Sequence, residues 1–279
     1  MAEISSGGEY VHGTHQSEQD RLALMNQILN ARTLAEVPVR AGDRILDVGS
    51  GLGQMSIAFA KVGGAGSRVL GIERSPEQIT KAESSRSTAG LTGSNVEFRQ
   101  GDAMALPLHG DEHGRFDLAF TRFLLEHVPD PLAVVKQMVL AVRAGGKIVL
   151  ADDDHEVLRL HPEPAGFGDV WSAYIALYKR VGNDAIVGRR LVQLLHDGGA
   201  KPLRNTWVWF GACSGDQMFG AVVLNLIEIL RGATDRIVTE QLTTRSNIDA
   251  CVRELHAFAA RPDAAMWFSM SLAEGVRAD

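Results

Sequence analysis

The chain has little with which to cross-link, to coat a polyanion or to enter a bilayer. Only two cysteines occur in 279 residues, Cys213 and Cys251. Their spacing suits neither a zinc site nor a disulfide framework, so both are expected as buried thiols, with a reducing compartment as the default. Twenty-eight Lys and Arg against thirty-four Asp and Glu leave a formal charge of −6, with no basic block. A broad nucleic-acid surface needs a clustered basic footprint, so nucleic acid is not an expected partner. The most apolar run, Phe219 to Leu230, is too short to span a membrane and carries Asn225 and Glu228. No basic-then-apolar leader opens the chain, which makes a cytoplasmic protein the simplest expectation. What is there, 45% hydrophobic and 22% charged residues, suits one large α/β domain or a domain with a cap.

A further absence concerns Ile45-Leu46-Asp47-Val48-Gly49-Ser50-Gly51-Leu52-Gly53. This stretch reads as a buried strand, a tight glycine turn and, from Gln54 to Lys61, the start of a helix, a unit that presents backbone N–H groups to a ligand. A dinucleotide loop, G-x-G-x-x-G, requires glycine where this chain has Gln54. The spacing here is G-x-G-x-G, and Asp47 precedes it. An aspartate at that turn repels a pyrophosphate and attracts a cation. The next two strands end likewise in acids. Val69-Leu70-Gly71-Ile72 leads into Glu73, placed to grip a ribose diol, and Val96–Arg99 is followed by Gly101-Asp102-Ala103. Asp47, Glu73 and Asp102 thus reach one edge of a parallel sheet, an edge suited to a positively charged nucleoside.

These motifs, with Phe116-Asp117-Leu118-Ala119-Phe120 through His127-Val128-Pro129-Asp130-Pro131 and Gly145-Gly146-Lys147-Ile148-Val149-Leu150, resemble the class I S-adenosylmethionine-dependent methyltransferases. The resemblance is close from about Arg40 to Asp154 and holds beyond only in outline. It implies a Rossmann-like, doubly wound, seven-stranded α/β sheet, mostly parallel with an antiparallel last strand, plus a helical cap. It implies S-adenosyl-L-methionine as cofactor and S-adenosyl-L-homocysteine as product. It also assigns the methionine part to the glycine turn (Gly49, Gly51, Gly53), the ribose hydroxyls to Glu73 and the adenine edge to Asp102 with Ala103. A nucleotide-type Rossmann domain of another kind is the competing reading.

Along the chain, residues 1–37 are expected as a lid segment and a helix. Tyr10 in that segment is a candidate to close over the methionine end; His12 and His15 read as surface histidines. The domain proper would run from 38 to 279. Helices are expected at Pro131–Arg143, Ala165–Val181 and Ile186–His196, and an antiparallel strand pair at Lys201–Phe210 and Ala264–Glu274. A cap of residues 1–37, 152–200 and 211–263 is expected to form the acceptor pocket, the last of these as a helical insertion. The insertion's first helix, Asp216–Arg231, is apolar nearly all round and so is expected to be buried as a cap or in a homodimer contact. Trp171, Tyr174, Tyr178, Trp207 and Trp209 read as core rather than as pocket wall.

Chemistry should sit at the ends of strands four and five. Methyl transfer is a direct displacement, which needs alignment, exclusion of water and, for a hydroxyl or ammonium acceptor, a base. His127 is the candidate base, oriented by Asp152. Family members with a histidine after strand four in several cases use it so. Its structural alternative is capping or packing of the following helix. Arg122 has four candidate partners: the cofactor carboxylate, Glu126, an anionic substrate or a purely structural acid. Arg74 either lies over the adenine or is solvated. Asp152-Asp153-Asp154 offers oxygen ligands, but adjacent residues on an extended chain point to opposite sides, so no metal is expected. The expected function is methylation of a small-molecule acceptor, at oxygen before nitrogen. The alternatives are an RNA or protein methyltransferase and a non-catalytic cofactor-binding module.

Overall fold

The structure, a computed structural model, describes residues 29–91 and 95–278. The lid segment and Tyr10 lie outside the described residues. Residues 29–36 are helical (α1) and end before Pro38. Five parallel strands follow, joined by helices except between β3 and β4: β1 (Arg44–Val48), α2 (Gln54–Gly63), β2 (Arg68–Glu73), α3 (Pro76–Thr88), β3 (Val96–Gln100), β4 (Phe116–Arg122), α4 (Pro131–Ala141) and β5 (Val142–Asp153). The helix starts follow from local chemistry. Ser75 and Asp130 accept hydrogen bonds from Gln78 N and Ala133 N, and each is followed by a proline at the first helical position.

The second half holds β6 (Arg159–His161), α5 (Phe167–Arg180), α6 (Leu191–Asp197), β7 (Ala200–Cys213), α7 (Phe219–Thr239), α8 (Arg245–Ala259) and β8 (Ala265–Arg277). The sheet runs β3-β2-β1-β4-β5-β8-β6, with β7 paired to β8. β8 is antiparallel to β5, β6 and β7. The expected seven strands gain an eighth, the three-residue β6, which continues the line of β5 along the same edge of β8. It is too short to leave a period-two pattern.

Apolar clusters cover both faces of the parallel strands, which is why these strands read as nearly continuous hydrophobic runs. A third cluster joins α5, α7, α8 and the start of β8. α7 proves amphipathic. Phe219, Val223, Leu226, Ile227 and Leu230 are buried, whereas Leu224 is 49% exposed, so the insertion covers its apolar stripe within the chain. Two expectations need correction. Cys251 is buried, but Cys213 at the end of β7 is exposed. Trp171, Tyr174 and Tyr178 are core, whereas Trp207 and Trp209 stand about half exposed on the edge strand β7.

β1 lies between β2 and β4, so the order reverses there. Successive crossovers leave in opposite directions from that point and open a crevice at the carboxyl ends of the strands.

Candidate active site

A cavity of about 280 Å³ occupies that crevice. Its lining includes Asp47, Gly49, Gly51, Glu73, Arg74, Asp102, Ala103, Arg122 and His127. Gly53 and Asp152 are not among the lining residues, and none of residues 152–200 or 211–263 lines it.

The glycine turn is held against β2: Gly49 N and Ser50 N both donate to Ile72 O, at 2.8 and 3.0 Å. Gly49, Gly51 and Gly53 have φ of 75°, 53° and 73°, where side chains are strained. Gly53 serves packing. A Cβ there would fall 2.4 Å from Phe98 Cζ, so only glycine lets α2 start against β3. Glu73 Oε2 accepts from Gly51 N at 3.0 Å and Oε1 from Ser75 N at 2.8 Å, tying both loops to one carboxylate. Asp102 is exposed at the rim, its Oδ1 accepting from Met104 N at 2.8 Å.

Asp47 lies on the floor, 2% exposed, where its Oδ2 accepts from Ser56 Oγ. Burial pushes its pKa up to about 6 and Glu73 adds to the shift, while Ser56 and Arg122 oppose it. Arg122 is buried beside it and donates to Asn30 Oδ1 at 2.8 Å and Thr33 Oγ1 at 3.3 Å. The last strand residue of β4 therefore fastens α1 beside the cavity. Burial pulls Arg122 down to about 10, against the pull of Asp47 and Asp153. Arg74 is exposed.

After β4 the chain turns sharply at Phe123, a non-glycine residue with φ of 53°. Positive φ there costs free energy and persists only where neighbours hold it. Asp152 supplies part of that hold, since its Oδ2 accepts from Leu124 N at 3.1 Å and Leu125 N at 2.7 Å. Asp152, expected to orient His127, thus anchors the turn that carries it. The acid facing His127 is Glu126, whose Oε1 stands 3.4 Å from Nε2. The His127 side chain is 8% exposed and stacks on Tyr178, with centroids 5.8 Å apart. Burial first, then the neighbouring His155, pushes His127 down to about 3, so it is neutral. Glu126 Oε2 lies 2.9 Å from His155 Nε2. Burial raises Glu126 to about 8 and lowers His155, so the pair is in its neutral form.

The sequence offers Glu126 at the end of strand four as a partner of Arg122, whereas His155 was not foreseen here. Their spacing carries no motif; two 3-10 turns, Leu125–His127 and His155–Val157, bring them together. Gln78 and Met104, which also line the cavity, left no signal either.

Residues 40–188, more than half the chain, match a family model described as a methyltransferase domain. 27-O-demethylrifamycin SV methyltransferase of Amycolatopsis mediterranei (strain S699) is 33% identical over 155 residues, covering 56% of this chain and 53% of that one. Demethylmenaquinone methyltransferase of Oceanobacillus iheyensis is 29% identical over 166 residues, covering 57% and 68%. The chain therefore spans about half the length of the first of these relatives. Among solved structures, the 4+2 cyclase SpnF superposes with a TM-score of 0.53 at 20% identity, covering 99% of this chain and 88% of that one, a likeness of fold alone. On the family match and the glycine turn with its three strand-tip acids, the chain belongs to the class I S-adenosylmethionine-dependent methyltransferases.

Proposed function

We propose that the protein transfers a methyl group from S-adenosyl-L-methionine to a small-molecule acceptor, at a hydroxyl oxygen in preference to nitrogen. The observation carrying this reading is the continuity of one cavity from the strand-tip acids to His127. The two relatives are named for methylation of a demethylrifamycin and a demethylmenaquinone, both small organic acceptors.

The residues fit the cofactor. Ser50 Oγ is buried at the glycine turn with no hydrogen-bond partner among the described residues. Gly49 leaves open the space that a Cβ would take against Leu124, 3.1 Å away. In this reading Glu73 holds the ribose hydroxyls, Asp102 with Ala103 the adenine edge, and Gly49 to Gly51 the methionine part. Asp47 supplies negative charge to a ligand carrying positive charge. When bound, the cofactor supplies a methyl group made electrophilic by a sulfonium. Arg122 braces α1 beside the site through Asn30 and Thr33.

In this reading His127, at the far end of the cavity, accepts a hydrogen bond from the acceptor's hydroxyl. Its low pKa makes it a weak base in the empty site, so alignment carries more of the catalysis than proton abstraction. Glu126 stands 3.4 Å from the ring and, neutral in the empty site, supplies no fixed charge to it.

Turnover tests the reading. Full-length protein with S-adenosylmethionine is offered phenols, polyketide-type hydroxyls, quinols and amines, and S-adenosylhomocysteine is counted by mass. Product on hydroxyl substrates supports it. Product on amines alone removes the choice of oxygen, and silence across the panel despite cofactor binding favours a non-catalytic module.

A further inference from the structure

Behind His127 lies a second polar cluster that methyl transfer leaves unused. We propose that Glu126, Asp153 and His155 form a binding site for one divalent transition-metal ion. One ligand atom from each residue lies within 4.8 Å of the other two. Glu126 Oε2 and His155 Nε2 are already 2.9 Å apart. Oxygen and nitrogen ligands sit about 2.0–2.2 Å from zinc, so atoms sharing one ion stand roughly 2.9–3.5 Å from each other. Glu126 and His155 already meet this spacing, and the atoms furthest apart, within 4.8 Å, must draw in by at most about 1.3 Å to close on an ion.

An independent observation concerns Asp153. It is 4% exposed, yet its Oδ1 has no hydrogen-bond partner among the described residues. A buried carboxylate oxygen left so is costly, and nearly all such groups in folded proteins are satisfied. A metal ion at the cluster would satisfy it.

The surroundings match those of a metal site. The Trp171 indole Nε1 donates to His155 O at 2.8 Å, and the rings of Trp171, Tyr174 and Tyr178 pack on the imidazole at 5.3–5.6 Å between centroids. Tyr178 hydrogen-bonds Glu126, and its hydroxyl lies 3.0 Å from that of Tyr174. Such outer contacts fix the orientation of ligands. Two carboxylates with one imidazole suit Mn²⁺, Fe²⁺ or Zn²⁺ better than Ca²⁺, which prefers an all-oxygen shell. The other two members of the aspartate run are engaged elsewhere, Asp152 by the Leu124 and Leu125 amides and Asp154 by Arg189. The run as a whole does not converge; its middle member joins residues from two turns.

Full-length protein is stripped with a chelator, loaded with Mn²⁺, Zn²⁺ or Co²⁺, desalted and analysed for metal. Expected are one ion per chain and a rise in Tm that the chelator reverses. Outer-shell changes alone weaken metal sites roughly 10–100-fold, and Asp153→Asn should weaken this one at least that much. Glu156→Gln, exposed and outside the cluster, should bind as the wild type does. The Co²⁺ form of the unaltered chain provides a readout independent of any variant's folding, with visible bands of oxygen and nitrogen ligation expected. No uptake of any of the three ions, undiminished uptake by Asp153→Asn, or thiolate bands from Cys251 would overturn the proposal.

Discussion

Binding of S-adenosylmethionine should weaken as the pH falls through 6, and Asp47 should be the cause. This carboxylate is buried on the cavity floor with a pKa near 6. Its displacement from the usual 3.8 corresponds to about 3 kcal/mol for holding it ionised in the empty fold, at about 1.4 kcal/mol per unit. A bound cation keeps it ionised, so ligand and proton compete. At about pH 5 only about a tenth of empty sites carry the charge, and affinity should be about tenfold below its value at about pH 7.5. Stability of the empty protein should run the other way. A carboxyl whose folded pKa is raised favours the fold while protonated, and that contribution disappears as the pH rises from about 4 to about 6. Calorimetric titration with S-adenosylmethionine from about pH 5 to 8, beside thermal melts of the empty chain, separates the two trends. Asp47→Asn should bind weakly at every pH and show no slope in this window. A flat wild-type affinity, or an Asn variant that keeps the wild-type slope, would refute the assignment.

Glu73→Ala removes the acceptor for Gly51 N and Ser75 N together with the proposed ribose contact, and cofactor affinity by calorimetry should fall about tenfold or more. Unchanged affinity would remove Glu73 from the site. His127→Ala should lower turnover about a hundredfold if the ring takes the acceptor's proton, with cofactor affinity little altered. Near-normal turnover would leave alignment as the whole of the catalysis. Gly53→Ala should cost about 2–5 kcal/mol, combining left-handed strain with overpacking against Phe98. Gly166→Ala shares the left-handed backbone, with φ of 73° and ψ of 0°, and has nothing within 4 Å, so it should cost only the strain, about 1–2 kcal/mol. Equal melting temperatures for these two variants would contradict the packing role of Gly53.

The parallel half of the sheet was legible because its signals are local. Each buried strand is an apolar run, each turn is marked by glycine, and Ser75-Pro76 and Asp130-Pro131 announce helix starts, so most boundaries fall within two residues of expectation. The cavity edge was legible for the same reason, since strand tips in a parallel sheet converge whatever the rest of the chain does. The acceptor side was not. Whether His127 faces Glu126 or Asp152 depends on a positive-φ turn at Phe123 and on backbone amides that claim the Asp152 carboxylate, neither visible in residue spacing. The alternation rule correctly kept Asp152, Asp153 and Asp154 apart, but it is silent about Glu126 and His155, which reach Asp153 from other turns. The apolar count of α7 overstated its burial because Leu224 faces outward while the stripe beneath it packs on the chain's own helices. The half-exposed Trp207 and Trp209 on β7 show the same limit, because alternation reports sides of a strand and not which side is covered.

The central claim is that acids on neighbouring strand tips around the glycine turn choose a sulfonium nucleoside over a phosphate-bearing one. Parallel titrations of the full chain with S-adenosylmethionine, NAD⁺ and ATP test it most directly. The account predicts saturable, one-site uptake of S-adenosylmethionine, weakened in Glu73→Ala, and no measurable uptake of the other two. Tight binding of NAD⁺ or ATP with indifference to S-adenosylmethionine would contradict it.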